Sequence, residues 1–170
     1  MRQPIVKLLH NLAALVCATV ATSASAVTQT ATVNANAVKP LTLAKLQDLD
    51  FGTVTLGPGA WSNATVSISQ AGALTCVNAN LVCSGATLAA SYNIQGSNKQ
   101  TVRISAPNVT LVNQSDSSKT LTLTTNAPPN VLLTSSGVPG NDFSIGGSVT
   151  LSSTTAVGTY VGTFNVTVDY

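Results

Sequence analysis

The sequence predicts an all-β protein folded as a sandwich or a barrel, and three observations carry this prediction. Roughly nine to eleven short runs alternate apolar with polar residues, and turns rich in Gly, Pro, Asn and Ser separate them. After residue 26, no stretch repeats apolar residues at the helical spacing for long enough to form a helix. The chain is rich in Thr, Ser, Asn, Val, Ala, Leu and Gly, which is typical of an extracellular β protein with many turns.

Residues 1–26 are predicted to be a secretory signal peptide. Arg2 and Lys7 provide positive charge, residues 12–21 form an apolar core, and residues 24–26 fit an A-x-A cleavage site. The apolar core is too short for a membrane span. Cleavage at this site would leave 144 residues (170 − 26), which suits one domain with its own core. We therefore expect export through the inner membrane.

Each alternating run of the remaining chain is predicted to be a strand. The first run ends at Lys39-Pro40, because proline cannot continue a paired strand. Gly146-Gly147 interrupts a later run and predicts a bulge or the close approach of another backbone. The predicted strands are residues 28–38, 41–43, 49–54, 65–68, 86–94, 101–104, 108–112, 120–124, 131–133, 143–151 and 160–170.

The last run, residues 160–170, is predicted to be one long strand with a buried and a wet face. Thr163, Asn165, Thr167 and Asp169 fall on the polar side. No later segment of the sequence could pair with the free edge of this strand, so we expect something else to cover that edge. The apolar side carries Tyr160, Phe164, Val166, Val168 and Tyr170.

Cys76 and Cys83 are predicted to form a disulfide, which is the usual state of paired cysteines in an exported protein. A loop this short would contribute roughly 2 kcal/mol by the chain-entropy model. A zinc site lacks ligands, because the only histidine, His10, lies in the signal peptide. The spacing is also not the C-x-x-C of redox centres. We expect no metal and no cofactor.

The charges of the predicted mature chain cancel. Outside the signal peptide the acids are five Asp and the bases five Lys or Arg, and glutamate is absent. No basic patch is therefore expected to bind nucleic acid or an anionic membrane. Without a histidine, the many Ser and Thr have no general base to activate them as nucleophiles. We expect no catalytic residue and no enzyme activity.

Two local features allow a functional and a structural interpretation. Asp48 and Asp50 project from one face of a strand, where they could act as an acid pair or bind calcium, but a solvated strand edge is the commoner arrangement. Trp61 follows a Gly-Pro-Gly turn and could stack on a sugar, or it could cap one end of the core.

Several short motifs resemble bacterial pilin-like proteins. Residues 49–54 (LDFGTV), 57–61 (GPGAW) and 66–69 (VSIS) look like the start of a pilin-like domain. Residues 156–160 (AVGTY) leading into 164–170 (FNVTVDY) are similar to the C-terminal signature of the spore coat protein U family. Subunits of archaic chaperone–usher pili belong to that group. As a whole, the chain most resembles a related family of exported bacterial proteins that is described only as a domain of unknown function.

The resemblance covers essentially residues 27–170 and implies an immunoglobulin-like, pilin-like Greek-key β-sandwich that lacks its final strand. Many archaic pilins carry a cysteine in the first conserved strand, whereas Val33 to Phe51 contains none. The implied domains are a signal peptide (1–26), a donor-strand extension (27–38) and the sandwich (39–170).

The resemblance also implies how such a protein works. A periplasmic chaperone first fills the groove along the incomplete edge, and the N-terminal extension of the next subunit then replaces it. An outer-membrane usher would export the growing fibre, a pilus or fimbria used in cell adhesion, from the periplasm to the cell surface. The inserted donor residues would be Ala31, Val33, Ala35 and Ala37, and the acceptor edge would be Tyr160, Phe164, Val166, Val168 and Tyr170. No nucleic acid and no direct membrane insertion are implied.

Two alternatives remain open from the sequence. Residues 28–38 could be the first strand of the domain itself, paired in cis with the terminal strand, since a pattern does not determine its partner. The protein could instead be a monomeric secreted binding module or an adhesin, although few exposed aromatic residues are available for a sugar site.

Overall fold

A computed structural model describes residues 26–170, and the predicted signal peptide lies almost entirely outside this range. The described residues form thirteen β-strands and no helix, and every ladder between them is antiparallel. The all-β prediction is therefore confirmed. Residues 26–170 contain no helix that is long and apolar enough to span a membrane.

The strands are β1 (Thr42–Gln47), β2 (Thr53–Leu56), β3 (Ala64–Ile68), β4 (Leu74–Thr75), β5 (Leu81–Ser84), β6 (Ala90–Gln95), β7 (Thr101–Ser105), β8 (Val109–Asn113), β9 (Thr120–Asn126), β10 (Asn130–Leu132), β11 (Asn141–Leu151), β12 (Tyr160–Val161) and β13 (Thr167–Asp169).

These strands form three sheets. The largest has the order β1-β6-β11-β9-β8-β12, with β3 paired to β11 and β4 paired to β3. A three-stranded sheet has the order β10-β7-β13, and β2 pairs with β5. The long strand β11 pairs with β6 through its first half and with β3 and β9 through its second half. The largest sheet is thus organised around β11.

Gly146-Gly147 lies where β11 changes partners, and it makes the close backbone approach that the glycine pair predicted. A Cβ on Gly146 would run into the carbonyl oxygen of Ile68 in β3. A Cβ on Gly147 would lie 2.8 Å from the side chain of Leu123 in β9. The absence of side chains here lets two neighbouring strands pack against the middle of β11.

The apolar residues gather in two clusters between the sheets. Cluster 1 lies between the largest sheet and the three-stranded sheet, and it includes Tyr92 and Phe143, whose rings stack with centroids 5.5 Å apart. Cluster 2 joins β3, β9 and β11 to Leu81 of β5. Apolar side chains enclosed between sheets are the arrangement of a sandwich-like fold. The immunoglobulin-like Greek key remains a prediction.

The disulfide prediction is confirmed. Cys76 follows β4, Cys83 lies in β5, and their Cα atoms are 6.3 Å apart. Because β4 belongs to the largest sheet and β5 pairs with β2, the bond joins two different sheets. Both cysteines also pack against cluster 2.

The prediction of a single strand over residues 160–170 is wrong. Only β12 and β13 are strands, and residues 162–166 between them belong to no ladder. The reason is that the two ends pair in different sheets, β12 with β8 and β13 with β7. The segment therefore crosses from one sheet to another, and the residues that cross cannot keep one partner.

Other strand predictions differ in smaller ways. Residues 28–38 were predicted to be a strand, but residues 26–41 contain none. The prediction missed β5, and three of its four residues lie inside what the sequence suggested was only a disulfide loop. The run at residues 49–54 forms a strand only from Thr53, and before it Asp50 makes an isolated bridge to Leu88.

Candidate strand-acceptor edge

The C-terminal segment, residues 160–170, lies at the margin of two sheets. β12 is the last strand of the path through the largest sheet, and β13 is an edge strand of the three-stranded sheet. Among residues 26–170, no strand pairs with the side of β13 that faces away from β7. An edge of this kind presents backbone N–H and C=O groups that can pair with another chain.

Side chains of this segment alternate between the core and solvent even where the ladder is interrupted. Phe164, Val166 and Val168 are half-buried and pack against cluster 1, and Phe164 also contacts cluster 2. We call these three residues the inward row. The intervening Asn165 and Thr167 are exposed, as is Thr163 before them. The sequence therefore predicted the inward row correctly, whereas Tyr170, predicted on the same face, is exposed and the pairing was not predicted.

Cluster 1 has a partly exposed margin. Eight of its residues are buried, and nine further apolar residues that pack against it are only partly buried. They include the inward row, together with Leu41 and Leu43 at the start of β1. Such a margin would bury more apolar surface if one more strand were added along it.

The end of β13 is tied to the start of β1 by a small hydrogen-bond network, which we call the root contact. The Tyr170 hydroxyl donates to the carbonyl of Lys39 at 2.6 Å and accepts from the Ser97 N–H at 2.8 Å. The Lys39 N–H in turn donates to the Ser97 hydroxyl at 2.6 Å. Lys39 is therefore held beside the C-terminal end of β13.

The predicted donor residues lie in an exposed segment. Every residue from 26 to 40 is exposed, and Val33 keeps 88% of its surface accessible. Ala31, Ala35 and Ala37 are likewise exposed and in no strand. The apolar side chain of Val33 is therefore left almost entirely in contact with solvent within the described residues.

The predicted acceptor residues do not all have the same role. Phe164, Val166 and Val168 form the inward row, as expected for an acceptor face. Tyr160 is half-buried, and its hydroxyl donates to the carbonyl of Ala156 at 2.8 Å. Tyr170 belongs to the root contact. Sequence reasoning missed Ser97 and Lys39, because nothing in a turn residue and a pre-proline lysine indicates a common partner far along the chain.

Asp48 and Asp50 do not form a site. Asp48 makes an exposed ion pair with Lys45 at 2.7 Å, and this hydrogen bond raises the pKa of Lys45 above its ordinary value. The carboxylate of Asp50 accepts the Gly52 N–H at 2.8 Å, which is a local turn bond. In residues 26–170, no group of three or more His, Cys, Asp or Glu is placed to hold a metal ion.

The position of Trp61 agrees with the interpretation that it packs at one end of the core. The side chain is half-buried against cluster 2, and its indole N–H donates to the carbonyl of Gly57 at 3.1 Å. Two surface depressions of about 210 and 420 Å³ lie elsewhere; the first is lined mainly by small polar residues and the second by a mixture of polar and small apolar residues. Neither depression includes the inward row.

The fold and this edge define an all-β domain that exposes a strand edge beside an incompletely covered core. Residues 41–170 match the family described as Domain of unknown function (DUF4402), and the chain belongs to this family. That description names no activity, ligand or partner. No curated protein and no solved structure matches the chain significantly. The resemblance to spore coat protein U and to archaic pilins therefore remains a prediction.

Proposed function

We propose that this protein is the structural subunit of a bacterial surface fibre, assembled by donor-strand complementation. Residues 27–38 of one copy, the extension, would add as a strand to the C-terminal edge of the next copy. The observation that carries the proposal is the inward row, which packs on cluster 1 but is only half-buried beside an unpaired strand edge. One further strand would cover both the apolar row and the backbone edge.

The extension has the chemistry that this edge needs. Ala31, Val33, Ala35 and Ala37 alternate with Thr and Asn, so a strand of this sequence has one small apolar face and one polar face. Burying each Ala or Val would contribute on the order of 1–2 kcal/mol. Hydrogen bonds between the two backbones, shielded by the sandwich, would add to this and make withdrawal of the whole strand slow.

Contacts of this type lead naturally to a fibre. The donor is at one place on the molecule and the acceptor at another, so each contact is heterologous and leaves a free donor and a free acceptor at the ends. Before assembly, the exposed edge would need a temporary cover to prevent incorrect pairing. A periplasmic chaperone supplies that cover in the proposal, and an outer-membrane usher delivers the fibre to the cell surface.

One pair of substitutions in the extension tests the proposal. Val33→Asp places a charge on the inserted face, where burial of an unpaired carboxylate is strongly unfavourable, whereas Asn34→Asp places the same charge on the outer face. Protein beginning at Val27 is concentrated and run in cold detergent without boiling. We expect wild type and Asn34→Asp to give ladders of oligomers, and Val33→Asp to lose at least nine-tenths of the ladder.

Equal ladders for all three proteins would overturn the role of the extension. If wild type instead remains a stable monomer at every concentration, the alternative function, a monomeric secreted binding module or adhesin, is favoured. One observation favours that alternative. The depression of about 210 Å³ is lined by residues that include Ser67, Thr75, Thr124 and Ser148, whose hydroxyl groups could bind a neutral ligand.

A further inference from the structure

The root contact sets the direction in which a chain could cover its own edge. Lys39 lies beside Tyr170, so β1 begins at the end of the sandwich where β13 finishes. The extension also runs toward that end, because it leads into Lys39. If the extension lay along β13 of its own chain, the two strands would therefore be parallel. The extension of another copy has no such restriction.

Self-pairing would require the chain to reverse immediately before β1. Lys39 resists this reversal, because its N–H is bonded to Ser97 and its carbonyl to Tyr170. Pro40 adds to the resistance, since a residue before proline is restricted to extended conformations. The chain would have to break both bonds or make its turn within residues 36–38. The second route removes the inward-facing Ala37 from the strand.

We infer that Tyr170 and Ser97 are positioning residues that hold the start of the extension so that it serves a neighbouring copy and not its own edge. This inference rests on the proposed function. In this role the root contact favours insertion of the extension into a neighbouring copy over pairing of the extension with β13 of its own chain. The Tyr170 hydroxyl is the central group, because it bonds to both Lys39 and Ser97.

The test compares the effect of Tyr170→Phe in the presence and absence of a competent extension. The probe is a fluorescent synthetic peptide with the sequence of residues 27–38, and its affinity is measured by anisotropy at dilutions where no ladder forms. One background is the intact protein beginning at Val27. The other carries Val33→Asp and Ala35→Asp, which leave the extension in place but unable to insert. Ser97→Ala is examined in parallel as a second variant.

The matched control is Ser118→Ala, which removes a hydroxyl that bonds to the Asp116 carboxylate between β8 and β9, outside both the acceptor edge and the root contact. With the extension intact, we expect Tyr170→Phe to weaken peptide binding by up to about fivefold, the limit set by losing about one net hydrogen bond, because the chain's own extension now competes. Ser97→Ala should act in the same direction. In the background with the disabled extension, Tyr170→Phe should leave the affinity unchanged, and Ser118→Ala should leave it unchanged in both.

Two outcomes would overturn the inference alone. Tyr170→Phe could weaken peptide binding equally in both backgrounds, which would make the hydroxyl part of the acceptor edge itself. It could also have no effect with the extension intact. If the protein with the disabled extension and native Tyr170 fails to bind the peptide at all, the proposed function fails as well, so the two failures are distinguishable.

Discussion

Close packing at Gly146 illustrates how one absent side chain shapes the core of this domain. The residue lies in the middle of β11, where the carbonyl oxygen of Ile68 occupies the space that a Cβ would need. Ile68 is itself buried and hydrogen-bonded within the β3–β11 ladder, so it cannot move aside without disturbing that pairing. Gly146 is therefore required by sterics and not by an unusual backbone conformation.

We predict that Gly146→Ala lowers the free energy of unfolding by about 1–3 kcal/mol, the usual range for overpacking a core. The matched control is Gly137→Ala, because a Cβ at Gly137 would meet no atom within 4 Å. Urea unfolding followed by tryptophan fluorescence measures both variants. Equal stability of the two would show that β3 can shift to accommodate the extra methyl group.

For single residues, the sequence predicted which side chains face the core better than it predicted which residues contact each other. The period of two placed Phe164, Val166 and Val168 on the core side, and the structure agrees. The bond between the Ser97 N–H and the Tyr170 hydroxyl joins residues 73 positions apart. No local pattern encodes such a contact, because it depends on where two turns and a chain end meet in three dimensions.

The C-terminal segment shows that sequence alternation also fails to predict how whole strands pair. Its alternation predicted one long strand, whereas the structure divides it into β12 and β13. Alternation requires only that one face is buried, and both sheets can bury that face in turn. The pairing with β8 at one end and β7 at the other depends on the topology, which a single strand cannot reveal.

The disulfide was predictable because its loop is short and the chain offered no competing cysteine after the signal peptide. Its surroundings were not predictable: β5 is four residues long and pairs with β2, although β3 and β4 lie between the two in sequence. The bond therefore connects elements whose proximity comes from the fold and not from spacing alone. It holds the β2–β5 pair against cluster 2.

We predict that replacing Cys76 and Cys83 together by alanine lowers the free energy of unfolding by about 2 kcal/mol, mainly by releasing the closed loop of the unfolded chain. Urea unfolding of the double variant gives the change. The control is wild type measured with and without reductant, where full reduction should reproduce most of the loss. A double variant as stable as the oxidised protein would contradict the prediction.

At the scale of the whole molecule, two features complement each other. The extension carries an exposed alternating apolar face, and the sandwich carries a half-buried apolar row at a free strand edge. Each could bury surface by meeting the other. In the proposed assembly the root contact would favour a meeting between copies, and joining a neighbour would add to the stability of each subunit.

Hydrogen exchange of the backbone amides at the C-terminal edge tests this account most directly. The protein carrying Val33→Asp and Ala35→Asp is measured alone and with a saturating synthetic peptide of residues 27–38, and a peptide with Val33→Asp serves as the control. We predict that the native peptide slows exchange within residues 162–169 and that the control peptide does not. Binding of the native peptide with no protection in residues 162–169, or with protection only at another strand edge, would contradict the account.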